Sequence, residues 1–482
     1  MPETFLWYDF ETFGTDPRRD RPAQVAALRT DAGLTPVADP EVFYCCPADD
    51  VLPQPAACLI TGITPQVARE RGLPENRFVS RLGQLLDEPA TCLVGFNNFR
   101  FDDELLRHLF WRNFRDPYRH EYAGGNSRFD LIDVLRLTRA LRPGGIEWPD
   151  QDDGRPSFRL EAVAEANGID TRNAHDALAD VEATIALARL VQQRQPRLWQ
   201  WSLQLRQRQR VERLLAAREP LVHASSRFPA HPGCGVAPVL PLAPHPQFKT
   251  QWLVWNLTVD PEPFLELDID ALSDRSWTAT ADLPEGIERL PVKLVRINRC
   301  PIIAPIGVLD DQATERMQID RRALDRHARI LAQASGFLDR LSRLFARPSA
   351  DTALDPELDL YGGFPPRQDQ AVRDRIATLA PDDLARLGEP FSDSRLNELL
   401  FRYRARLWPE RLDDDERARW QDFRRRRLID DPDLASIRLP EYRAVVDQLM
   451  RQSPERADIL TSLAQWPELI GASMLDNQQS ET

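Results

Sequence analysis

The stretch Thr4-Phe5-Leu6-Trp7-Tyr8-Asp9-Phe10, continued by Glu11, is aromatic-rich and alternating, which predicts a β-strand. On a strand, residues two apart point the same way, so Asp9 and Glu11 share one face. Two acids side by side on a core strand repel and lose hydration unless a cation sits between them. On an exposed edge strand they would simply be solvated, and Asp-x-Glu alone does not choose between the two. Outward from this strand, Gln24–Arg29 and Val42–Cys45 continue a strand meander, and Thr91–Phe96 is a fourth apolar run. Asp103–Asn113, Leu131–Leu141, Leu160–Asn167 and Ala177–Val191 then carry apolar residues at helical spacing. Strands followed by helices imply a mixed sheet with helices packed on it.

Two further stretches carry acids. In Gly95-Phe96-Asn97-Asn98-Phe99-Arg100-Phe101-Asp102-Asp103-Glu104, a strand ends in an asparagine-rich turn and acids open a helix. Aspartate at a helix start is most often a cap. In His175-Asp176-Ala177-Leu178-Ala179-Asp180, the histidine and Asp180 are five apart, about 140° around a helix. They converge only if His175 sits at or before the first turn. Asp176 and Asp180, four apart, share a face, so spacing leaves both open as ligands.

The rest of the 482 residues suggests further domains, since one domain takes about 150 residues. The pattern changes near Gln195–Pro196. Residues 197–217 read as arginine-rich helix, and 219–305 are proline-dense with β-like runs at Trp252–Leu257, Trp277–Ala281 and Val292–Ile297. Helix follows to Ala346, then a turn-rich linker at Pro348–Pro356, then helix from Gln368 to Ile470. The expected domains are 1–194, 196–347 and 349–472, with a disordered tail at 473–482.

No apolar run approaches the ~18 residues of a membrane helix, and MPETFLWYDF has none of the features of a signal peptide. A cytoplasmic location without membrane contact is expected. Cysteines 45, 46, 58, 92, 234 and 300 form no CxxC and no zinc spacing, which predicts reduced thiols. The net charge of −13 excludes a generally basic surface, though not a local basic groove. Lys249 and Lys293 are the only lysines among 62 Lys and Arg, a bias that with 40 prolines fits a GC-rich genome. The run Arg424–Arg427 reads as a solvated helix face.

Taken together and in order, D-x-E on the first strand, N-x-x-F-D at 98–102 and the 175–180 pair resemble the DEDD exonuclease superfamily, histidine-bearing branch. TFLWYDFETFGTDPRRDRPAQVAALRTD, NNFRFDDE, NAHDALADVEATIALARLV, PLVH, PVKLVRIN and LLFRYRAR are similar to the bacterial exonuclease I family across the whole chain. The resemblance implies an α/β, ribonuclease-H-like nuclease domain, an SH3-like β-rich domain and an all-helical C-terminal domain. It implies a processive 3′→5′ exonuclease on single-stranded DNA, used in repair and recombination. Asp9, Glu11 and Asp180 would hold two Mg²⁺ ions, or Mn²⁺, with Asp102 assisting and His175 as general base. It selects Asp102 over Asp103 and Asp180 over Asp176.

The same likeness implies DNA contacts. Ile60–Thr64, with Thr61, would pack on the terminal nucleotide, and Arg159 would hold a phosphate. Arg107, Tyr118, Arg136, Trp201, Arg208 and Lys293 fall at DNA-contact positions, and Tyr122 stands where the family can carry another aromatic for the same purpose. A groove for the acidic tail of single-stranded DNA-binding protein keeps Arg142, while two of its basic positions fall on Asp310 and Ala332. A monomer is expected. The catalytic set alone does not separate this reading from an RNA exonuclease or a proofreading subunit, or from a domain kept only for binding.

Overall fold

β1 (Thr4–Thr12) is buried along nearly its whole length, as a central strand must be. β2 (Pro22–Thr30) pairs with it antiparallel, from Phe5↔Thr30 to Glu11↔Gln24. β3 (Glu41–Tyr44) extends the sheet beyond β2. β4 (Thr91–Gly95) lies on the other side of β1, parallel, from Thr4↔Thr91 to Trp7↔Val94. β5 (Ser127–Asp130) completes a five-stranded mixed sheet. Between β3 and β4 the chain forms α1 (Pro55–Thr61), α2 (Pro65–Arg71) and α3 (Glu75–Leu86), and α4 (Asp102–Arg112) follows β4. Phe78, Leu82, Leu86, Leu105, Leu106 and Leu109 of α3 and α4 cover the sheet face made by Leu6, Tyr8, Phe10 and Val25.

The computed structural model describes residues 3–171, 176–346 and 354–477. They divide into two units: 3–127, 176–182 and 354–477 in the first, 128–171 and 183–346 in the second. The expected linker falls partly outside the described residues; of the expected disordered tail, 473–477 instead belong to the helix Ala472–Asn477, with Leu475 buried, and 478–482 lie outside the described residues.

In the first unit the C-terminal helices share a core with the N-terminal segment. Phe13, Cys58 and Ile63 pack with Leu439, Tyr442, Leu460, Leu463 and Trp466, and the Trp466 indole donates to the Val51 carbonyl at 2.8 Å. A buried ionic cluster ties the same parts. Asp50 is wholly buried and accepts from Arg406 Nη2 at 2.8 Å. Glu357, 3% exposed, sits between Arg21, Arg402, Arg406 and Arg427. The expected solvated run at Arg424–Arg427 holds for the exposed Arg426 but not for Arg424 and Arg427, which are 6% and 4% exposed. Arg424 Nη2 donates to the Asp49 carbonyl at 3.1 Å and Arg427 Nε to that of Asp50 at 3.0 Å. Their partners lie about 375 residues upstream, beyond the reach of a local pattern.

In the second unit β6 (Leu221–Ala224), β7 (Val236–Pro244), β8 (Gln251–Asn256), β9 (Val292–Arg296) and β10 (Ile303–Pro305) form an antiparallel sheet in the order β10-β6-β7-β8-β9. The helices Arg321–Gln333 and Ser335–Phe345 bury Leu324, Leu331, Phe337 and Leu341 against Leu240, Leu253 and Trp255. The expected β-run at Trp277–Ala281 is absent: Trp277 ends a helix, Ile269–Trp277. The Asp268 side chain caps that helix on Ala271 N–H, and Leu272 is buried beneath it. Residues 197–217 form two helices, Pro196–Gln204 and Arg208–Ala216. No helix among the described residues is long and apolar enough to cross a membrane, and all six cysteines are free.

The ionic cluster sets the response to acid. Burial alone would raise Asp50 and Glu357, but the arginines around them pull both well below the usual carboxylate range. Glu75, half-buried beside Arg112, is held at about 2. Their stabilising contribution is complete above the unfolded carboxyl range near about pH 4 and is lost as pH falls towards about 2. The urea midpoint should therefore fall steadily below about pH 4, and a flat profile through that window contradicts the cluster's role. Glu357→Gln should cost about 3–5 kcal/mol of unfolding free energy, since it strands buried guanidinium groups. A urea titration showing under about 1 kcal/mol would rule that out.

Candidate active site

The parallel pairing of β1 with β4 stops at Trp7↔Val94, while β1 continues beside β2 to Glu11↔Gln24. Asp9 and Glu11 therefore lie past the carboxyl end of β4, the place where open α/β sheets hold ligands. A bulge between Glu11 and Thr12 ends the regular register. On the β4 side the chain turns sharply. A Cβ at Gly95 would stand 2.7 Å from the Asn98 Cβ, so only glycine fits this close approach. Asn97 takes the left-handed conformation at φ 65°, which asparagine tolerates. The Asn98 carbonyl then accepts the Asp103 N–H at 2.9 Å and α4 begins.

Asp102 and Asp103 take different work. The Tyr8 hydroxyl donates to Asp103 Oδ1 at 2.6 Å. Tyr8 is buried on the opposite face of β1 from Asp9 and Glu11. Burial, then the charges of Asp103 and Asp102, raise its pKa well above normal, so it stays a neutral donor. This bond fastens the first turn of α4 to the sheet. Adjacent helical residues diverge by about 100°. Asp102, 5% exposed, is thereby left to act electrostatically on Glu11.

Among the described residues, Asp9, Glu11 and Asp180 each bring one carboxylate oxygen to within 4.8 Å of the others. Asp180 comes from the helix Ala177–Arg194. Asp176, left open by spacing, lies just before that helix and is exposed; its Oδ1 accepts Leu178 N–H at 3.1 Å and Ala179 N–H at 3.3 Å. It serves as the cap, and Asp180, one turn on, reaches the cluster. Burial first, then Asp180, Asp102 and Asp176, raise Glu11 to about 8. Like charges crowded in a dry site are costly, and a hard divalent cation removes that cost. The all-carboxylate donor set fits such an ion. His175 lies outside the described residues.

The expected DNA-contact residues are placed as follows. In the first unit, Thr61 ends α1 and its hydroxyl accepts Ile63 N–H at 3.1 Å, with Gly62 at φ 71° as the helix cap. Arg107 is only 3% exposed and pairs with Glu104 at 2.8 Å and Glu121 at 2.7 Å. It lies beneath Tyr118, 5.5 Å from the ring centroid. Tyr122 is exposed. In the second unit, Arg159 is exposed at the start of the helix Leu160–Ala166, and Arg208 is exposed at the start of Arg208–Ala216. Arg136 pairs with Asp133 at 2.6 Å. The Trp201 indole donates to Ile303 O at 2.8 Å, with Arg210 over its ring. Lys293 stands over Phe228 at 4.5 Å, and burial lowers its ammonium to about 7. Arg142 is engaged by Asp310 at 3.0 Å, while Ala332 is exposed.

Sequence reasoning missed Tyr361 and Phe364. The Phe364 ring is 88% exposed and meets the edge of Tyr118 at 6.2 Å, and Tyr361 hydrogen-bonds Glu104. An aromatic on each side of Gly362-Gly363 in a proline-rich loop was the available signal.

Comparison with known proteins matches three family models: Exonuclease over residues 6–188, Exonuclease I SH3-like domain over 206–347 and Exonuclease I C-terminal domain over 354–470. Exodeoxyribonuclease I of Escherichia coli K12 is 44% identical over 97% of this chain and 98% of its own. The solved structure of a moderately thermophilic exonuclease I from Methylocaldum szegediense superposes with TM-score 0.92 at 47% identity, covering 97% of this chain and 99% of that one. Escherichia coli exonuclease I in complex with a dA16 oligonucleotide superposes with TM-score 0.91 at 43% identity, covering 97% and 100%. The mixed sheet is thus that of a ribonuclease-H-like exonuclease domain, joined by an SH3-like and a helical C-terminal domain. With its carboxylates gathered at the open end of β1 and its full length matched, this chain is a nuclease and belongs to the exonuclease I family.

Proposed function

We propose that the chain degrades single-stranded DNA processively from the 3′ end, releasing 5′-mononucleotides. The observation that carries this is the meeting of Asp9, Glu11 and Asp180 oxygens within 4.8 Å beyond the end of β4. Asp9, Glu11 and Asp180 hold two Mg²⁺ ions, replaceable by Mn²⁺, and Asp102 adds charge at their side. When bound, the ions supply Lewis-acid stabilisation of the phosphoryl and leaving oxygens and lower the pKa of water. His175 is assigned as the general base that takes the proton of the attacking water, a task suited to a pKa near neutrality. Arg159 holds the phosphate near the scissile bond, and the Thr61 segment packs on the terminal nucleotide. Tyr118, Tyr122, Arg136, Trp201, Arg208 and Lys293 guide the strand by charge and stacking, whereas Arg107, buried between Glu104 and Glu121, supports the Tyr118 ring instead of touching DNA. The exposed ring of Phe364 beside Tyr118 suits the same stacking.

The proposal extends to a cytoplasmic monomer that works in DNA repair and recombination. Its protein partner is the acidic tail of single-stranded DNA-binding protein, which has to displace Asp310 from Arg142.

With 5′-labelled single-stranded DNA in excess and Mg²⁺, the label should pass from full-length strand to short end products with few intermediates. Chelator should stop the reaction, and duplex or RNA of equal length should be degraded far more slowly. Immediate release of a labelled mononucleotide would contradict the direction. Asp180→Asn should lose at least about 10³-fold in rate while remaining folded by circular dichroism, the several kcal/mol expected of a metal-binding carboxylate. A rate within about tenfold of the parent would refute the assignment.

Tyr8→Phe removes one hydroxyl from the opposite face of β1 and frees Asp103 from the sheet. It should lower kcat about 10–100-fold with KM for DNA unchanged, through displacement of Asp102. An unaltered kcat would show that the bond to Asp103 does not set the site.

A further inference from the structure

The first unit holds a second recess, and its lining is cationic. A cavity of about 200 Å³ lies among the loop after β3, the start of α3, the end of α4 and the helix Ser394–Leu407. One water needs about 10–15 Å³ of such space, and a drug-sized ligand takes about 300–1,000 Å³. The recess therefore suits a small ion with a few waters. Arg21, Arg112 and Arg406 line it, with Glu75, Tyr403 and Ala48.

Arg112 is 2% exposed and grips Glu75 through Nε at 2.9 Å and Nη2 at 2.8 Å. Its Nη1 is buried and has no hydrogen-bond partner. A buried guanidinium N–H without an acceptor carries its full desolvation cost. Burial and then the charge of Arg21 lower the Arg112 pKa, ahead of the upward pull of Glu75. Burial and Arg21 likewise bring Arg427 down to about 10. Arg21 and Arg406 are held by Glu357 and Asp50, whereas Arg112 Nη1 is left without an acceptor.

We propose that this cavity binds a small oxyanion of the phosphate class, which accepts from Arg112 Nη1 beside Arg21 and Arg406. Guanidinium groups are the side chains best shaped for phosphate oxygens. The site is separate from the acid cluster, because Arg112 lies ten residues along α4 from Asp102, about 15 Å by helical rise. It joins N-terminal elements to the helix that carries Tyr403 and Arg406, so occupancy stabilises the native fold. The oxyanion is either free inorganic phosphate or the phosphate group of a mononucleotide.

The test is thermal unfolding of the full chain in chelator, so that the acid cluster holds no metal. Inorganic phosphate, a 5′-mononucleotide and sodium chloride are compared at equal ionic strength. Phosphate should raise the midpoint by about 2 °C or more over chloride. A larger rise with the mononucleotide that Ala48→Glu removes identifies a nucleotide-borne phosphate, and an equal or smaller one identifies the free ion. Ala48→Glu places a carboxylate in the recess and should abolish the phosphate response while DNA degradation continues. Arg112→Lys keeps the charge without the fork and should weaken phosphate binding at least about tenfold. Equal shifts in phosphate and chloride overturn the proposal, as does an undiminished phosphate response in both variants.

Discussion

Repulsion among crowded carboxylates at the open end of β1 is the constraint around which this molecule is arranged. Glu11 is 8% exposed and pushed to about 8 by burial and its acidic neighbours. A strand carrying Asp9 and Glu11 on one dry face would be a fault in an ordinary core. It is tolerable where a cation completes the group. The surrounding devices serve that arrangement: early termination of β4 at Gly95, the left-handed Asn97, the Tyr8 bond to Asp103 and the Asp176 cap that sets the pitch of Asp180.

The helices at the C-terminus are fastened to this sheet by charge as much as by apolar packing. Asp50 and Glu357 lie wholly or almost wholly buried among Arg21, Arg402, Arg406 and Arg427. Such a cluster is a poor source of net stability but penalises any misplacement of its members, because each stranded charge is expensive. The arginine-rich composition, readable as a genomic bias, therefore supplies internal ties here. It also leaves Nη1 of the Arg112 guanidinium buried and unpaired.

Much of the nuclease sheet was legible, because β1, β2 and β4 carry apolar runs that only strands of a buried sheet would need. The shared face of Asp9 and Glu11 followed from strand periodicity alone. The choice of Asp102 over Asp103 did not, since both open the same helix. Tyr8, 95 residues away, separates their roles. Asp176 and Asp180 were equivalent by spacing, and the structure separates them by the cap bonds of Asp176 and the place of Asp180 beside Asp9 and Glu11. In the second unit β7 was missed because Pro238, Pro241 and Pro244 interrupt it, and a register shift after Pro241 accommodates them. Arg424 and Arg427 were misread because their partners come from residues near 50. Phe364 was missed because an isolated exposed aromatic has no period to reveal it.

What matters most is whether the three carboxylates share a cation. Crystals soaked in Mn²⁺ and measured at the manganese absorption edge answer this directly. The arrangement predicts anomalous density bridged by oxygens of Asp9, Glu11 and Asp180. Manganese bound elsewhere, with these side chains turned apart and no anomalous density between them, would contradict it.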